Sequence, residues 1–311
     1  MDSFAAGLCV YTYQACCLQP ARQHDDRPVG ALGHSIGLLA ALIAGLRLRR
    51  MDDFIDTVAA FLRLLAVSLA RGQQLGITAG PEQSTVERYR AKVRRGADPG
   101  PMASISGPSR HEIADAVAGF NHSGGSLSVS LANSPSSHVL SGPTIELLDF
   151  YFAHVTAFER AGATWMFLSN TIPFHSWHMA PAAHRIDLDR RFIGQLPDGA
   201  QLRMPVYATD APRDLQHSTD LIDEFLQQVF LRPIEWGEVA SHAIADASVD
   251  QIVDYGPGAA ARRFTRECLG TAARRVRFTP FRPSVASPAP GGQHAMSTLP
   301  RPGRPTQRNG G

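Results

Sequence analysis

Gly33-His34-Ser35-Ile36-Gly37 is the segment that most restricts how this chain can fold. Val29-Gly30-Ala31-Leu32 leads into it as a short buried strand would, and an apolar run of helix formers, Leu38 to Leu46, follows. A strand passing into a helix through Gly-x-Ser-x-Gly must turn sharply, and glycine at both ends lowers the steric cost. The turn lifts the serine hydroxyl out at the start of the helix, where free N–H groups can receive an oxyanion. Ser35 is therefore a candidate nucleophile, and the backbone N–H of Ile36 a candidate oxyanion donor. The same residues also suit a Gly/Ser turn that merely caps a buried helix, so the motif needs partners elsewhere in the chain.

Several function classes are disfavoured by composition. The chain has 311 residues, enough for one large domain with a subdomain. Lys and Arg number 30 against 28 Asp and Glu, and that balance offers no field to recruit nucleic acid or an anionic membrane. Cys9, Cys16, Cys17 and Cys268 lack zinc-ribbon spacing, and the adjacent Cys16 and Cys17, in a predicted helix, read as buried or free thiols rather than a disulfide scaffold. The longest apolar stretch, Val29 to Leu46, is broken by His34, Ser35 and four glycines, which suits a membrane span poorly. No basic n-region precedes a signal-like core. A soluble cytoplasmic protein is the expectation.

The order of elements points to an α/β fold. A helix is predicted over Ser3 to Leu18, and Asp25, Asp26 and Pro28 mark a loop before the first strand. Met51-Asp52-Asp53 opens a long amphipathic helix to about Leu75, with Phe54, Val58, Phe61, Leu65 and Val67 on one side. Between Pro101 and Leu168 the pattern becomes strand (102–105), helix (109–120), strands (127–132 and 137–141), helix (144–160) and strand (164–168). That β-α-β-β-α-β order is the signature of a ferredoxin-like unit, here an insert over about 101–169. After Pro173, Met204 to Ala208 and Gln251 to Tyr255 read as strands of the main sheet, with a helix over Ser218 to Val229 between them. Gly256-Pro257-Gly258 would end a buried strand in a tight turn. The domain is placed at 1–281, and residues 282–311, rich in Pro, Gly and Ser, are expected to be disordered.

A serine at neutral pH needs a base within hydrogen-bond reach. His175, in Pro173-Phe174-His175-Ser176, is the strongest candidate among the 12 histidines, because the proline fixes the local backbone and the phenylalanine can anchor the loop.

Six ordered landmarks carry a resemblance. Gly33 to Leu38 is similar to a nucleophile motif that usually has glutamine or leucine where Ile36 stands. Ser130-Leu131-Ala132-Asn133 through Val139-Leu140-Ser141-Gly142-Pro143 is similar to a strand pair, and Pro173-Phe174-His175-Ser176 to a base motif. Pro205-Val206-Tyr207-Ala208-Thr209-Asp210, Arg232-Pro233-Ile234-Glu235-Trp236 and Asp254-Tyr255-Gly256-Pro257-Gly258 follow in order. Over about residues 5 to 280 the chain resembles the acyltransferase domains of type I fatty-acid and polyketide synthases, in particular the acetyl-type (starter) transferase of the fungal and actinobacterial fatty-acid synthase. The resemblance implies a hydrolase-like parallel-sheet core with the ferredoxin-like insert. It also implies ping-pong transfer from an acyl-CoA, through an acyl ester on Ser35, to the phosphopantetheine thiol of an acyl carrier protein. His175 would move the protons. Other synthase subunits are implied partners, and no covalently bound cofactor or metal is implied. A main-chain carbonyl just before Asp250 would orient His175.

Two departures accompany the resemblance. Family members carry a first strand and a Gly-Gln-Gly type loop upstream of the serine, and that glutamine helps form the oxyanion hole. Ser35 comes after only 34 residues, so this strand is expected to be missing. A preceding polypeptide, a misassigned start or an inactive remnant would each account for that. Malonyl-transferring members also place an arginine, in an Arg-Gly context, against the substrate carboxylate. Arg71-Gly72 fits superficially, yet in the acetyl-type branch the equivalent position falls nearer Ser68, and a helix C-terminal arginine is the plainer account. Leu38 stands where malonyl-type enzymes often carry glutamate.

Remaining candidates stay open at this level. His34 could cap or line the entrance, and Asn133 could stabilise a subdomain turn or face the cleft as a substrate contact. His175 and His178 have poor spacing for a metal pair. A serine esterase would need Asp210 or Asp254 with a late base, for which only His242 is available.

Overall fold

The computed structural model describes residues 2–20, 28–75, 80–93 and 96–281. The loop expected at Asp25 and Asp26 and the expected disordered tail, 282–311, lie outside the described residues.

Helix α1 (Ser3–Cys17) starts with the Asp2 side chain accepting from the Ala5 N–H. Strand β1 (Ala31–Leu32) then leads into α2 (Gly37–Leu46). Nine of the ten residues of α2 are buried, which its apolar sequence on every face requires. Helix α3 (Met51–Leu75) instead buries one stripe, with Phe54, Phe61, Leu64, Leu65, Ser68, Leu69 and Gly72 facing the core. A helix the sequence reading did not include, α4 (Gln83–Lys92), inserts Tyr89 edge-on between Tyr151 and Phe167.

The insert forms as its pattern predicts. Strand β2 (Met102–Ser106) is followed by α5 (Arg110–His122), which opens with a Ser109–Glu112 capping box. Strands β3 (Ser128–Ser134) and β4 (Ser137–Ser141), helix α6 (Thr144–Arg160) and strand β5 (Thr164–Phe167) complete it. The sheet order is β5-β2-β4-β3, antiparallel throughout. Its own core includes Ile105, Leu140, Phe150, Trp165 and Phe167.

The chain continues through α7 (Ala180–Leu188), the short α8 (Arg190–Ile193) and β6 (Val206–Tyr207), which pairs in parallel with β1. Helix α9 (Leu221–Phe225) is capped by Asp220 and passes into a π-helix (Leu226–Leu231) where an ordinary helix over 218–229 is expected. Strand β7 (Ile234–Glu235) joins the insert's sheet, parallel to β3. Helix α10 (Trp236–Asp246), strand β8 (Gln251–Asp254), helix α11 (Ala260–Leu269) and strand β9 (Arg277–Pro280) follow.

One strand assignment is corrected. The expected main-sheet strand over Gln251 to Tyr255 does not pair with β1 or β6. It forms β8, which pairs in parallel with β9, and Val253 is 39% exposed, so the strand is not buried. The α11 crossover supplies the connection that parallel pairing requires.

Candidate active site

The pentapeptide builds a strand-to-helix elbow in which the serine itself carries the unusual backbone. Ser35 has φ +54°, in the left-handed region that non-glycine residues rarely enter. Gly33 is required for another reason: a Cβ there would lie 2.1 Å from the Gly37 carbonyl oxygen. Gly37 has room, since a Cβ would meet only Gln14 Nε2 at 3.8 Å. At the start of α2 the N–H of Gly37 returns to the His34 carbonyl and that of Leu38 to the Ser35 carbonyl. Among the described residues no acceptor takes the Ile36 N–H.

His175 comes to this elbow from a loop 140 residues away. It too has a left-handed backbone, φ +56°. The Ser35 hydroxyl donates to His175 Nε2 at 2.9 Å, and His175 Nδ1–H donates to the Arg232 carbonyl at 3.1 Å. A carbonyl can only accept, so Nδ1 carries the proton and Nε2 is the free acceptor. The orienting carbonyl thus belongs to Arg232, not to a residue just before Asp250. The π-helix explains the change, because it ends beside the loop. Its Val229 and Phe230 carbonyls accept the N–H groups of His175 and Ser176 at 3.3 and 3.0 Å, and Arg232 is its C-cap. From the insert, Ser141 Oγ–H donates to the Phe174 carbonyl at 2.9 Å. His175 is 1% exposed, and burial pushes its pKa down to about 3. The imidazole is therefore neutral at physiological pH.

His34 packs against Trp236 (ring centroids 5.0 Å apart) and Phe264 (5.9 Å). Its Nε2–H donates to Asn133 Oδ1 at 2.8 Å. Burial lowers its pKa, while the Asn133 contact acts in the opposite sense. Asn133 reaches it because the β3–β4 register shifts between Ala132 and Ser134. A bulge there re-aims one side chain out of the alternating pattern. Asn133 therefore faces the elbow, and His34, Ser35, Asn133 and His175 converge.

The other candidates lie elsewhere or are otherwise engaged. Arg71 makes a bidentate pair with Asp189, at 2.7 and 3.0 Å, which ties α3 to the α7–α8 corner and holds the Asp189 carboxyl below its usual range. Ser68 is fully buried with its hydroxyl unpartnered. His178 stacks on Trp177 and donates to the Ser126 carbonyl at 2.8 Å. No group of three or more metal-ligating side chains occurs among the described residues. The esterase carboxylates do not reach His175: Asp210 pairs with Arg213 and Arg232, and Asp254 caps the Gly256 N–H. His242 packs edge-on against Tyr207. Sequence reasoning missed the role of Arg232, although Arg232-Pro233 is a helix-ending pair that presents a carbonyl. It also missed the Trp236–Phe264 walls around His34.

Comparison with solved structures decides the architecture. The malonyl CoA-acyl carrier protein transacylase of Clostridium perfringens superposes with a TM-score of 0.68 at 16% identity, covering 90% of this chain and 75% of that one. This is the acyltransferase fold. The same fold is shared with the acyltransferase domain of an iterative polyketide synthase of enediyne biosynthesis (TM-score 0.63, 22% identity, 92% of this chain and 63% of that one). It is also shared with a type II polyketide synthase malonyl-transacylase solved with its acyl-carrier protein (TM-score 0.64, 19% identity, 90% and 77%). In sequence, the chain is 25% identical over 255 residues to the fatty acid synthase beta subunit TOXC of Cochliobolus carbonum, covering 74% of this chain and 12% of the relative. It is 23% identical over 259 residues to hispidin synthase of Neonothopanus nambi, covering 82% of this chain and 13% of the relative. The chain thus spans about one eighth of the length of these relatives. No family model matches it. By sequence and fold together it resembles a synthase acyltransferase domain. No helix among the described residues is long and apolar enough to cross a membrane.

Proposed function

We propose that this chain transfers an acyl group from an acyl-CoA, by way of an ester on Ser35, to the phosphopantetheine thiol of an acyl carrier protein. The observation that carries this is the contact between Ser35 Oγ and His175 Nε2, with Nδ1–H held by the Arg232 carbonyl. His175 takes the Ser35 proton as Oγ attacks the thioester carbonyl. The Ile36 N–H, at the start of α2, receives the oxyanion. Negative charge developing beside the neutral imidazole raises its proton affinity as the proton arrives. Collapse of the intermediate breaks the C–S bond, and His175 returns the proton to the departing CoA thiol. In the second half His175 accepts the carrier thiol's proton, the thiolate attacks the ester, and Ser35 Oγ recovers the proton. A place within a fatty-acid or polyketide synthase accords with the relatives.

For the acyl group, an acetyl-type starter is favoured by Arg71, whose guanidinium is occupied by Asp189 rather than free for a substrate carboxylate. A malonyl group is the second reading, favoured by the transacylase names of the structural neighbours. Incubation with labelled acetyl-CoA and malonyl-CoA, followed by peptide mass mapping, tests both. Label on the Ser35 peptide, lost in Ser35→Ala, is expected. Absence of label from both thioesters, or label persisting in Ser35→Ala, overturns the reading.

A further inference from the structure

The Arg232 carbonyl matters only if its segment holds still, and the structure shows what holds it. Asp210 has a carboxylate 4% exposed, yet it lies outside hydrogen-bond reach of His175. Arg232 Nη1 donates to Asp210 Oδ2 at 2.8 Å. On the other side, Arg213 Nη2 donates to Asp210 Oδ1 at 3.1 Å and to Glu224 at 2.7 Å. The Glu224 carboxylate accepts from Gln228 Nε2 at 2.8 Å, inside the π-helix. Gln228, fully buried, then accepts the Thr209 N–H at 2.8 Å. The loop 209–213 thereby clasps the π-helix at its middle and at its end, on either side of the carbonyls that receive the base loop.

We propose that Asp210 is a positioning residue, fixing through Arg232 the carbonyl that keeps the His175 proton on Nδ1. A carboxylate shielded from water beside two guanidinium groups forms short, directional, charge-assisted bonds that resist rotation. Arg232 precedes Pro233, so its own segment lacks the next N–H by which a backbone could be fastened. Its N–H goes back to the Gln227 carbonyl at 2.7 Å, and its side chain supplies the second tie. If the carbonyl swings away, His175 keeps only the weaker backbone contact to Gln228, and the two neutral tautomers draw closer in energy. Only the Nδ1–H form leaves Nε2 free to take the Ser35 proton, so the population of competent enzyme falls. The catalytic meaning of this role rests on His175 being the base of the proposed reaction.

The test is ¹⁵N and ¹H NMR of the full chain with labelled histidine, at neutral pH, on the wild type, Asp210→Asn, Arg232→Ala and Arg213→Gln. His175 in the wild type is expected to show a protonated Nδ1 and an unprotonated Nε2. Asp210→Asn and Arg232→Ala should both lose that single-tautomer signature and lower kcat about tenfold to a hundredfold with KM little changed. Arg213→Gln, which leaves the Arg232 tie intact, should keep the signature. Arg232 is half-exposed, so its variant keeps the test available if the buried Asp210→Asn fails to fold. Folded variants that retain the wild-type signature overturn the positioning role. A wild type with its proton on Nε2 overturns both this role and the base assignment. A normal tautomer response in a protein that never takes label on Ser35 overturns acyl transfer alone.

Discussion

Ser35 and His175 both occupy the left-handed region of backbone space, at φ +54° and +56°, and their side chains meet at 2.9 Å. Each such residue costs on the order of 1–3 kcal/mol and persists only where surrounding contacts over-determine it. Here those contacts are the close approach of Gly33 to Gly37 on one side and the π-helix carbonyls on the other. Strain on both partners of one hydrogen bond suits a reactive pair better than a helix cap.

Replacing His175 by Ala should leave the elbow intact and reduce the rate of Ser35 acylation by about 10²–10⁴-fold, the usual contribution of a positioned base. Stopped-flow or quenched labelling with acyl-CoA checks this, and an unchanged rate would remove His175 from the mechanism.

Gly33→Ala and Gly37→Ala should behave oppositely. The first places a methyl 2.1 Å from the Gly37 carbonyl oxygen, and backbone cannot yield there cheaply, so a fall in Tm or loss of folding is expected. The second meets only a side-chain amide at 3.8 Å and substitutes a better helix former at the first position of α2, so stability should hold or rise by up to about 1 kcal/mol. Thermal unfolding of the two variants compares them directly.

Acid should destabilise the protein through its buried histidines. His175 is held at about 3, and burial also depresses His34 and His138. Above about pH 6.5 the unfolded imidazoles are neutral as well, and these groups add no pH dependence. Below that, the unfolded chain takes up protons that the folded chain refuses, so Tm should fall as pH drops from about 6.5 toward 3. His175→Ala should show a shallower fall. For the same reason, the acylation rate of folded enzyme should lack a histidine limb near pH 6.5.

Arg71→Ala should lower Tm only slightly, because its pair with Asp189 is partly exposed and screened by solvent. Acetyl and malonyl labelling should change by the same factor. A selective loss of malonyl labelling would restore Arg71 as a carboxylate partner.

Local patterns made much of the fold legible. The elbow follows from spaced glycines between apolar runs, and the insert follows from its strand-helix-strand-strand-helix-strand order. Helix α3 was readable from its stripe. Where the pattern was short, the reading failed. Gln251–Asp254 is four residues of ordinary strand sequence, and nothing local chose β9 over β1 as its partner. The helix expected over 218–229 became partly a π-helix, because the gain lies in the long-range bonds its carbonyls make to His175 and Ser176.

The candidate site divides along the same line. Sequence alone determined which residues could carry the chemistry, since Ser35 follows a glycine at 33 that the elbow requires and His175 follows its Pro-Phe anchor, both readable within five residues. Only tertiary structure decided how they are used. It chose Arg232 as the carbonyl behind His175, aimed Asn133 at His34 through a bulge, and occupied Arg71 with Asp189. Each of those contacts joins residues 57 to 118 positions apart. Their partners are set by how helices, sheet and π-helix pack, and no local propensity encodes that choice.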